Sequence, residues 1–386
     1  MRILLLMYFV HFLRHGMVLP VVPLFAQDLG AGASMVGLVV GSFNALSLLL
    51  GLVVGDLADR ISIKKMLIAG AVCNLVYSLL LYAAVNPWAL VGTQIIGGLG
   101  FLLLIVCTQA YISGLPGVRE REKNFSRVTL AAAVGQSTGP LCGGWLLSIG
   151  SFDLVFAAAI GVSLLGAVVF GLRMDASRTG RAKPFEPLAE KLAKLTRMAR
   201  NPRMAIVLAF TLGVILAVCL RGSFLPILLQ SKGVSGVYIG AMLSVFAVSM
   251  TLVRVMVGRI LGRFSRLGVM TFVLVVTGSA VGILPLLDQA WALATVLAVF
   301  GLGFGLSQPL SMVMVSESSA DDRRGLAMGL RFSTLTLGTF LGPLMMGALA
   351  EIGGISLPFY CAVLPILAVG LALFLFRNKL NPEKSS

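Results

Sequence analysis

Twelve apolar segments run through the chain, each close to the length of about 20 residues that a helix needs to cross a bilayer. They lie at roughly 3–27, 34–58, 66–85, 88–113, 125–148, 152–172, 204–230, 235–259, 267–286, 290–316, 325–349 and 355–376. Several are separated only by short polar breaks such as Asn86-Pro87, Ser151-Phe152-Asp153 and Asp288-Gln289. Hydrophobic residues make up 58% of the 386 and charged residues 12%, about half the charged share of a soluble globular chain. So much apolar surface cannot be buried in one water-soluble core, which excludes a soluble enzyme, and disorder is excluded on the same ground. The five cysteines, Cys73, Cys107, Cys142, Cys219 and Cys361, are odd in number, lie in apolar stretches and lack metal-ligand spacing, so neither a disulfide scaffold nor a metal site is expected. The expected fold is an all-α membrane protein of twelve transmembrane helices, beginning with a retained first span rather than a cleaved leader.

The net charge of +15 would suggest nucleic acid in a soluble protein. Here its location points to a membrane surface, and no nucleic-acid partner is expected. Arg60, Lys64 and Lys65 follow the second span, Arg119, Arg121, Lys123 and Arg127 lie between the fourth and fifth, and Arg259, Arg263 and Arg266 follow the eighth. Arg323 and Arg324 precede the eleventh, and Arg377, Lys379 and Lys384 end the chain. The one long polar stretch, 173–203, carries nine basic and three acidic residues. The opposite loops hold Asp28, Asp153, Asp288, Glu351 and a single base, Lys232. Basic loops mark the cytoplasmic side, so a multi-pass protein of the cell (inner) membrane is expected, with both termini cytoplasmic.

The chain also reads as two copies of one half. Gly55-Asp56-Leu57-Ala58-Asp59-Arg60 aligns with Gly258-Arg259-Ile260-Leu261-Gly262-Arg263 at an offset of 203, as do Gly98 and Gly100 with Gly301 and Gly303, and Gly135, Gly139 and Pro140 with Gly338, Gly342 and Pro343. His15-Gly16-Met17-Val18-Leu19-Pro20 aligns with Arg221-Gly222-Ser223-Phe224-Leu225-Pro226 at 206. Expected are two pseudo-symmetric six-helix bundles, 1–172 and 204–378, a basic linker over 173–203 and a tail over 379–386. Leu188, Leu192 and Leu195 recur at helical spacing among Lys191, Lys194, Arg197 and Arg200, a basic amphipathic helix expected to lie on the anionic inner leaflet. Matched bundles of this kind bind a substrate at their interface near mid-membrane and rock about it.

These features resemble the major facilitator superfamily over nearly the whole chain. The loop Gly55-Asp56-Leu57-Ala58-Asp59-Arg60-Ile61-Ser62-Ile63-Lys64-Lys65 looks like the family's motif between spans 2 and 3, with Ser62 in place of its second glycine. The resemblance implies gating by Gly55, Asp59, Arg60 and Lys64, with Arg259 and Arg263 in the second copy. There Gly262 replaces the acid, so the lock is one-sided. Span 5 carries Gly135-Gln136-Ser137-Thr138-Gly139-Pro140-Leu141-Cys142-Gly143-Gly144, similar to the motif that accompanies export in the family's antiporters. Gly135, Gly139, Gly143 and Gly144 allow close helix contact and Pro140 bends the helix; simple packing and a direct role in export are both open. Span 4 has Gln94-Ile95-Ile96-Gly97-Gly98-Leu99-Gly100, where Gln94 stands in place of the arginine associated with proton coupling.

Ionisable residues at mid-membrane cost about 2.5–3.5 kcal/mol each on insertion scales and default to functional. Span 1 holds His11, Arg14 and His15, span 7 holds Arg221, and carboxylates are nearly absent from the span interiors. Tyr8, His11 and His15 share a helix face with Arg14 adjoining, and the repeat sets Arg221 opposite His15. Arg14 or His15 and Arg221 are expected to approach a central cavity from both sides, where guanidinium groups suit a carboxylate or phosphate. That pair resembles the organophosphate/phosphate antiporters of the same superfamily. The alternative for Arg14 is a structural arginine bonded to helix carbonyls or to Gln109. Asn44, Gln94, Thr108, Gln109, Gln136, Gln308 and Ser311 could complete a site or simply bond in the packing. A coupling histidine would be the natural proton carrier.

No Gly-x4-Gly-Lys-Ser/Thr loop is present, so ATP does not drive the protein and no cofactor is implied. The reading is a non-enzymatic secondary transporter, monomeric, exporting a small amphipathic or anionic metabolite or drug against an ion gradient, with H+ as candidate coupling ion. The alternatives are an organic-anion or organophosphate importer or exchanger, and a non-transporting receptor or scaffold.

Overall fold

In a computed structural model, residues 1–173, 188–319 and 324–375 are described, and every regular element among them is a helix. The linker bases over 174–187, Arg323 and the tail from 376 onward lie outside the described residues, as do the side chains of 55–60 and of Arg324. Ten helical stretches are long and apolar enough to span a membrane. Two more complete the twelve, the shorter apolar helix within Phe152–Arg173 and the long Val118–Ile149, whose hydroxyls and glycines dilute its hydropathy.

Three of the expected spans are broken. The first is α1 (Arg2–Val18) and α2 (Val21–Asp28), the second α3 (Ala33–Ser42) and α4 (Ala45–Arg60), and the seventh α10 (Pro202–Ser223) and α11 (Leu225–Ser231). Pro20 and Pro226, which carry no N–H, account for the first and third breaks. The others are α5 (Ile63–Tyr82), α6 (Pro87–Ser113), α7 (Val118–Ile149) and α8 (Phe152–Arg173) in the first half. In the second half they are α12 (Gly236–Arg263), α13 (Arg266–Ile283) with the 3₁₀ turn Leu284–Leu286, α14 (Ala290–Glu317), α15 (Arg324–Gly353) and α16 (Leu357–Leu375). Helix starts follow side-chain caps. Asn86 Oδ1 accepts from the Ala89 N–H at 2.8 Å and Asn201 Oδ1 from that of Arg203 at 3.0 Å, each before a proline at the first helical position, where a missing N–H costs nothing.

Within the first half α1 packs on α7 and α8, and α5 on α6 and α8; within the second, α12 packs on α14, α13 on α14 and α16, and α10 on α15 and α16. The halves meet chiefly along two crossings, α7 with α12 and α3 with α15. These are copies of each other. A Cβ placed on Gly240 would lie 2.2 Å from the Pro140 carbonyl oxygen, and one on Gly37 would lie 2.2 Å from that of Pro343. Gly144 faces the Gly236 carbonyl as Gly347 faces that of Ala33. Gly37 and Gly240, Ala33 and Gly236, Pro140 and Pro343, and Gly144 and Gly347 are each 203 residues apart, so the repeat carries the interface as well as the bundles. In lipid, where hydrophobicity does not drive helices together, such backbone-to-backbone approach supplies the van der Waals contact that does.

At the end of the molecule where α2 turns into α3, Glu351 on α15 accepts a 3.0 Å hydrogen bond from the Ser34 N–H, capping α3 across the interface. Nearby, Lys232 donates to the carbonyls of Pro285 (2.9 Å) and Leu287 (2.8 Å) and to Asp288 (2.6 Å). It ties α11 to the turn before α14. Lys232→Met is expected to lower the melting temperature in detergent by roughly a few degrees, since it leaves the Pro285 and Leu287 carbonyls without their donor, with no effect on binding at mid-membrane; differential scanning fluorimetry reads the shift.

The amphipathic linker helix α9 (Leu188–Ala199) packs on α10 and α15, with Leu195 buried and Met198 against a cluster of Met204, Val207, Val315 and Ala327. Its apolar face is thus committed at least in part to the second half rather than to the leaflet alone. Arg266 and Glu317 form an ion pair joining α13 to α14.

Candidate functional site

A cavity of about 220 Å³ lies between the halves. The helix breaks build it. The Leu19-Pro20 break leaves His15 and Leu19 on its wall, the Phe43-Asn44 break turns both of those residues into it, and α10 presents Cys219, Arg221 and Ser223 just before its own break. Tyr77 of α5, Gln94 and Phe101 of α6, and Thr339 and Pro343 of α15 close the sides. The Tyr77 hydroxyl donates to Gln94 Oε1 at 3.3 Å.

Each half offers a cationic or basic nitrogen group backed by an aromatic ring. The Arg221 guanidinium carbon lies 4.5 Å from the Phe246 ring centroid. The His15 ring lies 5.4 Å from Phe43 and 4.9 Å from Phe101. Phe43 and Phe246 are themselves 203 apart in sequence, so the two pairs are related by the repeat. Arg221 Nε is buried without a hydrogen-bond partner, and no carboxylate is among the cavity's described lining residues. A guanidinium so held has an unpaired Nε–H to offer, and the ring adds a cation–π contact.

Arg14 does not reach this cavity. It is one residue from His15, hence about 100° around the helix, and points into the first bundle. There its Nη2 donates to Asn74 Oδ1 at 2.5 Å, and its guanidinium sits 4.9 Å from the Tyr77 ring centroid. Tyr77 touches both Arg14 and the central cavity and forms the partition between them. The partner is Asn74 rather than Gln109, which is exposed on α6. His11 is buried and turns with Arg14 to a second, smaller cavity, although its ring still stacks on His15 at 6.5 Å. Tyr8 is packed edge-on against Phe12 at 5.0 Å in the apolar core.

Of the other expected residues, Asn44 lines the central cavity, whereas Gln136 and Gln308 are half-buried and do not. Gln308 belongs to a network that sequence reading overlooked. Arg331 of α15, buried, donates through Nη2 to Gln308 Oε1 at 2.6 Å and through Nε to Ser311 Oγ at 2.8 Å. The signal is an arginine within the apolar run 325–349, which the inventory of charges inside the spans does not include. Lys64 is half-buried, and Arg259 and Arg263 are exposed. Gly55, Asp59 and Arg60 have side chains outside the described residues.

The span-5 glycines divide their work. Cβ atoms on Gly135, Gly139 and Gly143 would meet α1 at the Phe9, Leu13 and Met17 carbonyls, within 2.8, 2.6 and 2.3 Å. Gly144, with the Pro140 carbonyl, meets α12 of the other half. One helix therefore links the His15-bearing α1 to the interface between the halves.

Two helical bundles related by an internal repeat, meeting along bare-backbone crossings around a lined cavity, define a membrane transporter of the alternating-access class. The family model described as Major Facilitator Superfamily matches residues 4–275 and 220–386, and the chain belongs to that family. It is 24% identical to the quinolone resistance protein NorA of Staphylococcus aureus (strain MRSA252) over 380 residues, 96% of this chain and 94% of that one. It is 24% identical to multidrug resistance protein 1 of Bacillus subtilis (strain 168) over 386 residues, 97% and 95% of the two chains. Among solved structures, the nucleoside transporter NupG superposes with a TM-score of 0.79 at 17% identity, covering 98% of this chain and 99% of that one. The protein is a multi-pass membrane transporter and not an enzyme.

Proposed function

We propose that the protein is an ion-gradient-driven exporter of a small amphipathic molecule that carries an anionic group, bound between Arg221 and His15. Likeness to drug-resistance proteins along the whole chain supports export. The observation that carries the substrate class is the central cavity itself, with Arg221 and His15 backed by Phe246 and Phe43 and no acid among its described lining residues. A lipophilic cation there would face uncompensated positive charge, whereas a carboxylate or phosphonate gains a charge-assisted bond and its apolar body gains the rings. His15, the imidazole on the cavity wall, is the proposed proton carrier.

The moving bodies are 1–172 and 204–378, joined through 173–203 and pivoting at the two glycine crossings, with both termini cytoplasmic and a single chain as the working unit. The paired basic groups also favour a second reading, an organic-anion exchanger or importer. Counterflow in proteoliposomes with anionic, neutral and cationic members of one dye series separates these. Export predicts uphill flux of the anionic dye only when a pH gradient is imposed; exchange predicts flux set by the opposing anion alone. Preference for the cationic dye in either arm overturns the substrate class.

A further inference from the structure

The second cavity, about 20 Å³, lies inside the first bundle between α1, α5, α6 and α8, away from the transport path. That is room for a particle the size of one or two waters. Its polar lining is Arg14, His11, Asn74 and Ser163. Arg14 is 1% exposed and His11 5%. Arg14 Nε and Nη1 and both His11 ring nitrogens have no hydrogen-bond partner, and among the described residues no carboxylate is buried anywhere in the protein.

The neighbours are already occupied with one another. Asn74 Nδ2 donates to the Gly70 carbonyl at 2.7 Å, and the Ser78 and Ser163 hydroxyls bond each other at 2.9 Å. Asn74 offers Arg14 a neutral oxygen, not a countercharge. A guanidinium stays protonated in proteins, and a buried charge left without its opposite is among the costliest groups a fold can hold.

We propose that this pocket binds a small monovalent inorganic anion of halide size, held by Arg14 Nη1 and Nε and by a His11 N–H, which serves as the structural counterion of Arg14. The fit is by charge, donor count and volume. The unpartnered nitrogens belong to Arg14 and His11, which line a space too small for any organic acid. The site is distinct from the central cavity, so its occupancy does not depend on which substrate the transporter carries.

The test uses the purified full-length protein in detergent, exchanged into sodium gluconate, with chloride or bromide added at constant ionic strength up to about 0.15 M. The expected result is a saturable rise of roughly a few degrees in melting temperature with either halide. Two variants locate it. Arg14→Gln removes the charge, and Asn74→Asp supplies a covalent countercharge 2.5 Å from Arg14 Nη2 at the price of one bond to Gly70. In each folded variant the halide increment should vanish, and Asn74→Asp should melt in gluconate near the wild type in chloride. Equal melting in chloride and gluconate, or an undiminished increment in Asn74→Asp, overturns the proposal. Should neither variant fold, bromide anomalous scattering from wild-type crystals decides: a peak within hydrogen-bonding distance of Arg14 and His11 supports the site, and its absence there overturns it.

Discussion

Gly240→Ala slows transport by roughly tenfold to a hundredfold while leaving each bundle folded. The added methyl would sit 2.2 Å from the Pro140 carbonyl oxygen, with the Gly144 Cα at 3.2 Å behind it. Both obstacles are backbone, so no side chain can swing aside and the two helices must separate. Overpacking of this kind costs about 1–3 kcal/mol, and that cost falls on the state in which α12 and α7 are in contact. A transporter must visit that state once per cycle, so the loss appears in the balance between conformations rather than in substrate affinity. Gly37→Ala should behave alike, because it meets the Pro343 carbonyl at the same 2.2 Å, and the two effects should add, being made at separate crossings. Gly161→Ala is the control, since nothing lies within 4 Å of its added Cβ. Flux in proteoliposomes reads the rate. Spin labels at the exposed positions Asp153→Cys and Ile352→Cys read the separation of the halves at the end that holds Glu351. Wild-type flux and an unchanged label distance in Gly240→Ala would show that the crossing does not bear on the cycle.

The sequence carried the bundle count and the repeat because both depend on patterns that lipid enforces everywhere. A span must be apolar, and a duplicated half keeps its glycines wherever backbones touch. The same logic reached further than the four aligned segments, since Gly37, Phe43 and Gly144 each have a counterpart at the same offset with the same contact. The helix breaks were less legible. Pro20 and Pro226 mark two of them, but Phe43-Asn44 has no proline or paired glycine, and its repeat counterpart Phe246, whose carbonyl packs on Gly301 as that of Phe43 packs on Gly98, lies in an unbroken helix. The site suffered from a different limit. Periodicity tells that Arg14 and His15 lie near a polar face, not which of two cavities each one enters, and the decision rests on Asn74, a partner 60 residues away. Arg331 lies inside the apolar run 325–349, and what it does there is set by Gln308 and Ser311, partners on another helix that no local pattern pairs with it.

Arg221→Gln and Arg14→Gln are therefore expected to fail in different ways. Arg221 faces the central cavity with its Nε unpartnered and its guanidinium resting on the Phe246 ring. Removing it costs the protein little, while an anionic substrate loses a charge-assisted bond of about 1.5–3 kcal/mol. Flux of the anion should fall roughly tenfold to a hundredfold at subsaturating concentration, flux of a neutral analogue should change far less, and the melting temperature should stay near that of the wild type. Arg14 holds a buried Asn74 oxygen and covers the Tyr77 ring from behind. Its loss leaves a buried acceptor without a donor, about 1–3 kcal/mol, and loosens the wall that Tyr77 and Gln94 make for the cavity. The melting temperature should drop, and the preference among anionic, neutral and cationic dyes, measured per folded molecule, should persist. The contrast is the informative quantity. A common loss of charge preference in both variants would place the two guanidinium groups in one site, against the partition by Tyr77, and a preserved preference in Arg221→Gln would remove the cavity's positive charge as the basis of selection.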